Sequence, residues 1–551
     1  IRKGCGALLF SSVTSAALCG IDACIVNVET DVGCGLPTFD MSGYLGSEVK
    51  EAKERVRIAI KNSDIELAPQ RIVINISPAD IRKEGTGFDL PIAVGILVSN
   101  GIIKESAIQD TLIIGELSLD GTVNPVNGVL PIVCAAKEAG IKLCIIPKAN
   151  LTEGSIAQGI QLYGAESLKK VISILSGDSQ YGVSANNSSD YNSENIDSIC
   201  ESGEDYLDIK GQYIAKRATL IAAAGMHNIM YIGPPGSGKT MLAKRIPTIL
   251  PDMTYEEMLK VTKIYSVAGK LDATKGLITK RPFRSPHHTI TSAAMLGGGR
   301  IPRPGEITLA GSGVLFLDEM TEFKPDLMES LRQPLEDKKI TLVRLNAAFT
   351  YPAEFMLAAA INPCKCGYYP DRNRCHCSEY DIRRYIGRIS NPMWDRFDMC
   401  VKVDEVTYSD IAGEYNVSEQ YNERENYNIA SECNETSEYI NADIYKEQDE
   451  YSIYTSAYMK SQVEKARSIQ QKRFANSKTD YNSRMTMREI KKYCSLDKEV
   501  AEVMEAMYKK LSMSARGYGK VLKTARTIAD LSGSENIQKE HITEALFYYR
   551  K

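Results

Sequence analysis

The octapeptide Gly233-Pro234-Pro235-Gly236-Ser237-Gly238-Lys239-Thr240 constrains this chain more than any other stretch, because it fits the G-x-x-x-x-G-K-[ST] phosphate loop at every fixed position. The run before it, His227-Asn228-Ile229-Met230-Tyr231-Ile232, is apolar-rich and of strand length, and Met241-Leu242-Ala243-Lys244-Arg245-Ile246 opens a helix after it. A strand–loop–helix unit of this kind turns backbone N–H groups toward phosphate oxygens and adds the partial positive charge of a helix N-terminus. In that arrangement Lys239 reaches the β- and γ-phosphates of ATP and the Thr240 hydroxyl ligates Mg²⁺.

A second signature, Gly313-Val314-Leu315-Phe316-Leu317-Asp318-Glu319, is an apolar strand ending in two carboxylates, with Asp318 placed 79 residues after Lys239. Asp318 is suited to hold Mg²⁺, directly or through water, and Glu319 to orient or polarise the attacking water. A third strand, Phe355-Met356-Leu357-Ala358-Ala359-Ala360-Ile361, ends at Asn362-Pro363, where the asparagine is either a turn residue or a polar group at the site.

The length of 551 residues allows three or four domains, and 43% hydrophobic with 25% charged residues allows large cores. No apolar run reaches 18 residues, so no membrane span is expected. The N-terminal stretch leads directly into strand-like sequence and reads as ordinary chain rather than a leader. Fourteen cysteines, mostly scattered among apolar residues, suit a reducing compartment, the cytoplasm, better than a disulfide scaffold.

Charge is unevenly spread. Residues 404–454 hold fourteen acidic and two basic side chains, a local −12 that leaves the rest of the chain at +8 although the whole stands at −4. A mildly basic body with an acidic insert is compatible with nucleic acid as a partner without requiring it. The insert, rich in Tyr, Asn, Glu and Ser and poor in aliphatics, is expected to be disordered.

Residues 1–177 read as a mixed α/β unit, with strands at Ala23–Glu29, Gln70–Ile76, Thr111–Leu119 and Lys142–Ile146 and helices at Gly46–Asn62, Leu90–Asn100 and Leu130–Ala139. A Ser/Asn/Asp/Gly-rich linker follows at 178–206. The nucleotide-binding domain is expected over 207–403 and a helical lid over 455–551, after the acidic insert.

Between the two nucleotide signatures lies a basic, glycine-rich stretch with Lys280, Arg281, Arg284, His287, His288, Arg300 and Arg303, followed by Lys338, Lys339 and Arg344 in a hairpin-like run. These are either phosphate-contacting loops or solvated surface. Cys364-Lys365-Cys366 and Cys375-His376-Cys377 form two C-x-C pairs, whose four thiolates can close a tetrahedral Zn²⁺ site or remain free thiols or a redox pair.

Several segments resemble Mg-chelatase-like AAA+ ATPases of the ComM/YifB type: Phe283-Arg284-Ser285-Pro286-His287-His288-Thr289, Arg303-Pro304-Gly305-Glu306-Ile307 and Leu331-Arg332-Gln333-Pro334-Leu335-Glu336. The resemblance covers nearly the whole chain apart from the linker and the acidic insert. It implies an AAA+ P-loop ATPase core with a helical lid, preceded by a Lon-protease-like (ribosomal S5 domain 2-like) α/β domain. In that N-terminal domain Gly87 falls where a Lon protease carries its serine and Leu130 where it carries its lysine, so proteolysis is discarded.

The resemblance also assigns roles. Asn362 matches the sensor 1 position, Gln212 the loop that touches adenine, and Arg396 in Trp394-Asp395-Arg396-Phe397-Asp398 an arginine finger reaching a neighbouring subunit. Arg516 and Arg526 compete for sensor 2 beside the nucleotide phosphates. The implied activity is that of a hexameric ring translocating on DNA, with branch migration in recombination. A chelatase-type motor that remodels a protein partner and a regulatory nucleotide switch are the alternatives.

Overall fold

The computed structural model describes residues 10–33, 35–177, 204–272, 276–299, 302–344, 347–406 and 454–549. Residues 1–9, most of the expected linker, most of the acidic insert, and Arg300 lie outside the described residues.

The N-terminal unit is built on a seven-stranded mixed sheet. Its strands are β1 (Phe10–Cys19), β2 (Asp22–Gly33), β3 (Phe39–Ser42), β4 (Arg71–Ser77), β5 (Thr111–Ile113), β6 (Leu143–Pro147) and β7 (Gln161–Ala165), in the order β3-β4-β2-β1-β5-β6-β7. Helix α1 (Ser47–Asn62) buries Val49, Ala52, Val56, Ala59 and Ile60, which recur along one stripe. Helix α2 (Asp89–Ser99) is buried on every side, and its Asp89 carboxylate is held by a bidentate pair with Arg55 at 2.7 and 2.9 Å. The strand expected over Thr111–Leu119 breaks after Ile113, and Glu116–Leu117 pairs instead with Val123–Asn124. Gly115 lies in the break, where a Cβ would stand 3.0 Å from both Leu90 and Val123.

Helix α3 (Val129–Glu138) joins this unit to the domain that carries the phosphate loop. It packs on helix α6 (Tyr255–Val267), and the Gly128 N–H donates to Ser266 O at 3.2 Å. Glu153 accepts from the Leu130 N–H at 2.9 Å and from the Ser266 hydroxyl. Leu130 is therefore a buried packing residue at a domain contact.

The domain that carries the phosphate loop is built on a five-stranded, all-parallel sheet in the order β9-β10-β11-β8-β12. These strands are β8 (Ile229–Ile232), β9 (Phe283–Arg284), β10 (Val314–Leu317), β11 (Met356–Ile361) and β12 (Met399–Lys402). β10 and β11 are buried along their whole length, as expected for strands covered on both faces. Helix α4 (Tyr213–Gly225) leads into β8, and helix α5 (Lys239–Lys244) follows the phosphate loop.

The C-terminal helices share one apolar core with the phosphate-loop domain: Met459, Val463, Leu522 and Ile528 join Ile229, Tyr231 and Phe316. Helix α8 (Ser456–Phe474) starts beside the helices after the phosphate loop, where Ser456 Oγ accepts from the Tyr206 N–H at 3.0 Å. It runs to Gln470, whose amide donates to Ala224 O at 3.0 Å, at the far end of α4. Helix α9 (Ala515–Leu531) then lies against the edge from which β8 starts. Lys520 Nζ donates to Phe397 O at 2.8 Å, and Thr527 Oγ1 stands 2.8 Å from His227 Nε2.

Candidate nucleotide site

Three adjacent strands of the parallel sheet end at the same edge, and each delivers one piece of the site. β11 lies between β10 and β8, with Leu317 opposite Ala359 and Ile232 opposite Ile361. Asp318, Asn362 and Gly233 thus leave the sheet side by side, the usual ligand edge of an open parallel sheet. The phosphate loop bends through left-handed glycines at Gly236 (φ +78°) and Gly238 (φ +87°), positions at which a side chain is strained. Gly233 is required for a different reason: a Cβ there would stand 2.1 Å from Val403 O.

Lys239 Nζ lies in the centre of the loop. It donates to Pro234 O at 2.6 Å, Gly233 O at 2.8 Å and Asn362 Oδ1 at 3.2 Å. The Thr240 hydroxyl donates to Asp318 Oδ2 at 2.7 Å. Neighbouring oxygens around an octahedral Mg²⁺ lie about 2.9 Å apart, so this pair already has the spacing of two adjacent ligands. Glu319 is exposed beside it, with a left-handed backbone (φ +49°) and its N–H on Asp318 Oδ1 at 3.0 Å. That conformation is uncommon outside glycine. Gln212, also left-handed (φ +60°), flanks the loop: its amide donates to Asp404 O at 2.5 Å and Ser237 O at 3.3 Å.

Burial pulls the Lys239 amine down to about 8, against the opposing charges of Asp318 and Glu319. Above that pH the free site holds a neutral lysine, and a bound triphosphate restores its charge. Nucleotide binding at about pH 9 is therefore expected to take up a proton. Calorimetry with a non-hydrolysable ATP analogue in buffers of different ionisation enthalpy measures this uptake. It should be absent in Lys239→Arg, and its absence in the wild type would contradict the assignment.

The arginines lie elsewhere. Arg396 comes three residues before β12, which runs parallel to β8 with Met399 opposite Ile229. Its carbonyl accepts from Asn228 Nδ2 at 2.8 Å, just ahead of β8. Arg396 is thus at the edge of the sheet opposite the phosphate loop, at least a strand length of about 13 Å away. Its side chain is 9% exposed and pairs with Glu336 at 2.7 Å. Arg516, 64% exposed, lies 3.4 Å from the same carboxylate. Arg526 is only 4% exposed and is committed within the lid, to Asp530 at 3.1 Å, Ser534 O at 2.6 Å and Glu535 O at 2.7 Å.

Arg516 and Arg526, the two candidates for sensor 2, both lie on α9. Among the described residues, no hydrogen bond or ion pair ties either one to the phosphate loop, because α9 packs on the opposite edge of the sheet.

The basic stretch is also less available than its composition suggests. Arg281 is spent on Glu257, Pro251 O and Ser312 O, and Arg284 forms a bidentate pair with Glu306 at 2.6 and 2.9 Å. Burial pulls Lys338 down to about 8. Arg303 and Lys339 are exposed, and so is Val343 in the hairpin of Lys339–Arg344 and Ala347–Pro352. The His287 and His288 rings lie 4.1 Å apart, tilted by 34°, without joining a group of metal-ligating side chains among the described residues.

Such a group is formed by Cys364, Cys366, Cys375 and Cys377, whose sulfurs all lie within 4.8 Å of one another. Cys364 Sγ is 3.2 Å from Cys366 Sγ and 3.7 Å from Cys375 Sγ. Four sulfurs bound to one Zn²⁺ lie about 3.8 Å apart, so the arrangement fits that ion. Burial pushes the Cys364 thiol up, but hydrogen bonds from the Tyr369 and Gly367 backbone and from Cys366 and Cys375 outweigh it, bringing it down to about 7.

Sequence reasoning missed Asn228. Its N–H donates to Asp398 at 2.9 Å, its amide donates to Arg396 O, and its Oδ1 accepts from the Leu357 N–H at 2.9 Å. One side chain thereby ties the starts of β8, β11 and β12. The only trace in the sequence is a polar residue directly before an apolar strand. Glu336 ends the Leu331–Glu336 segment that carries the resemblance, but nothing there marks Arg396 as its partner.

Three family profiles match the chain: "Subunit ChlI of Mg-chelatase" over residues 28–150, "Magnesium chelatase, subunit ChlI" over 205–411, and "Magnesium chelatase, subunit ChlI C-terminal" over 454–550. Competence protein ComM of Haemophilus influenzae is 36% identical over 539 residues, covering 97% of this chain and 96% of that protein. The uncharacterized protein YifB of Escherichia coli is 36% identical over 538 residues, covering 98% and 96%. Lon protease 2 of Bacillus subtilis is 34% identical over 148 residues, 25% of this chain and 26% of its own. These matches imply ATP and Mg²⁺, and the Lys239 cradle and the Thr240–Asp318 pair fit both. The chain belongs to the Mg-chelatase-like ComM/YifB family of AAA+ ATPases, with a Lon-like α/β domain ahead of its nucleotide-binding core.

Proposed function

We propose that this chain is the subunit of a hexameric ring that couples ATP hydrolysis to movement on DNA, acting as a branch-migration helicase in recombination of incoming DNA. The observation that carries the reading is the separation of Arg396 from the nucleotide edge of its own subunit. An arginine so far from its own Lys239 serves the reaction only across a subunit boundary, with Arg396 and Arg516 together facing the neighbour's nucleotide. The Haemophilus influenzae relative is a competence protein by name, in line with a role in DNA uptake and recombination.

Within the site each residue has a task. Lys239 and the loop N–H groups hold the phosphates, and Thr240 and Asp318 hold Mg²⁺, which neutralises charge on the phosphate oxygens. Glu319 orients the attacking water and accepts its proton, Asn362 positions that water, and Gln212 contacts the base. Exposed Arg303 and Lys339 contact the DNA backbone. Zn²⁺ is the assignment for the four-cysteine cluster, on its sulfur–sulfur spacing.

The test is ATP turnover with single-stranded DNA, branched DNA and no DNA across a salt series. Stimulation by DNA that fades as salt rises is expected, because phosphate contacts release counterions. The chelatase subunit names of the matching profiles favour a second reading, a motor that remodels a protein partner. Turnover indifferent to DNA at every salt concentration, and responsive only to a protein, would favour that reading over ours.

A further inference from the structure

The four-cysteine cluster is inserted between separate parts of the nucleotide site. Cys364 follows Asn362 by two residues, so the knuckle begins where β11 delivers its polar group. Gly367 (φ +90°) passes so close to the phosphate loop that a Cβ there would stand 2.5 Å from Pro235 Cδ. On its other side, Ile382 and Ile386 of helix α7 (Glu379–Ile386) pack on the cluster. Ser378, directly after Cys377, caps that helix by accepting from the Asp381 N–H at 3.1 Å.

The same helix reaches the turn behind Glu319. Tyr385 OH accepts from Thr321 Oγ1 at 2.7 Å, and Arg388 pairs with Glu322 at 2.8 Å. The phosphate loop, Asn362 and the Glu319 turn therefore all lean on one knuckle. Its buried core holds Cys364, Cys375 and Ile382, with Cys366, Tyr368, Tyr369, Cys377 and Ile386 partly buried around them. So small a core depends on a cross-link or a metal for rigidity.

We propose that a Zn²⁺ held by Cys364, Cys366, Cys375 and Cys377 is a structural cofactor of the nucleotide site, fixing the knuckle on which the phosphate loop and the Glu319 turn rest. This extends the ATPase reading above and rests on it. Binding exchanges thiol protons for the metal without any change in oxidation state. Loss of the ion loosens the seat of Pro235 and of Asn362, which weakens nucleotide binding as well as hydrolysis.

Protein purified under reducing conditions should contain about one zinc per subunit by elemental analysis. Cys366→Ser and Cys377→Ser should lose the metal and bind a fluorescent ATP analogue about tenfold more weakly or worse. Cys24→Ser, in the N-terminal unit, should change neither. Gly367→Ala should keep the zinc yet weaken nucleotide binding, because its Cβ pushes on Pro235. Chelator treatment of the wild type followed by zinc add-back should lower and restore nucleotide affinity, which separates the coupling from a folding defect in the variants.

The proposal is overturned if the reduced protein carries no zinc, or carries iron instead. It is equally overturned if stripped protein of unchanged circular dichroism binds nucleotide at full affinity, or if Gly367→Ala does. Zinc-dependent nucleotide binding without hydrolysis would leave this inference standing and remove the ATPase reading.

Discussion

Arg396→Ala is expected to lower ATP turnover of the assembled protein by about 10³-fold or more, the scale on which arginine fingers act. The variant should still bind nucleotide with near-normal affinity, since Lys239, Thr240 and Asp318 lie at the other edge of the sheet. It should also fold. The Arg396 carbonyl remains anchored by Asn228, and Glu336 keeps Arg516 as a partner. In the resting arrangement Arg396 is tied to Glu336 and almost buried. Reaching a neighbour's phosphate requires this pair to open, and Arg516 is placed to take over the carboxylate. Turnover and fluorescent-nucleotide affinity, measured side by side, check the prediction. Undiminished turnover would exclude Arg396 from the reaction.

Glu319→Gln should slow hydrolysis by about 10² to 10⁴-fold, the usual contribution of a positioned general base, while ATP binding and assembly persist. The substitution keeps the shape of the side chain and its exposure beside Thr240 and Asp318, and removes only the charge that takes the proton of the attacking water. Asp318 still pairs with Thr240, so the Mg²⁺ ligands are undisturbed. Trapped ATP with almost no phosphate release is the expected single-turnover result. Normal release would move the base to another residue.

The nucleotide edge was legible in the sequence because its chemistry is local. Each piece is an apolar strand followed at once by its polar residues: Ile229–Ile232 and the loop, Val314–Leu317 and Asp318-Glu319, Met356–Ile361 and Asn362. A parallel sheet then brings the ends of such strands together without further instruction. The cysteine pairs were legible for the same reason, with two short turns close in sequence converging to within 4.8 Å.

What stayed hidden depends on partners distant in sequence. Arg281 and Arg284 looked like a free basic surface until Glu257 and Glu306 neutralised them across 24 and 22 residues. The lid arginines were placed beside the phosphates by the family resemblance, which does not say where their helix docks. Only the docking of α9 on His227 and Phe397 shows which edge of the sheet it covers. Asn228 and Glu336 carry no spacing signal for their partners, which lie far along the chain: Leu357, Arg396 and Asp398 for Asn228, and Arg396 and Arg516 for Glu336. The Leu130 position shows the converse. An absent lysine was plain in the sequence, but its use as a seat for the ATPase domain through Glu153 and Ser266 was not.

The central claim is that each nucleotide is hydrolysed by residues from two copies of the chain, and mixing two inactive variants tests it most directly. Arg396→Ala subunits keep an intact nucleotide edge, and Glu319→Gln subunits keep an intact opposite edge. Where the first presents its nucleotide to the second, a complete site is restored. The account predicts that ATP turnover, almost absent in each variant alone, returns when they are co-assembled and rises with the fraction of mixed boundaries. Mixed assemblies as inactive as either parent would contradict it.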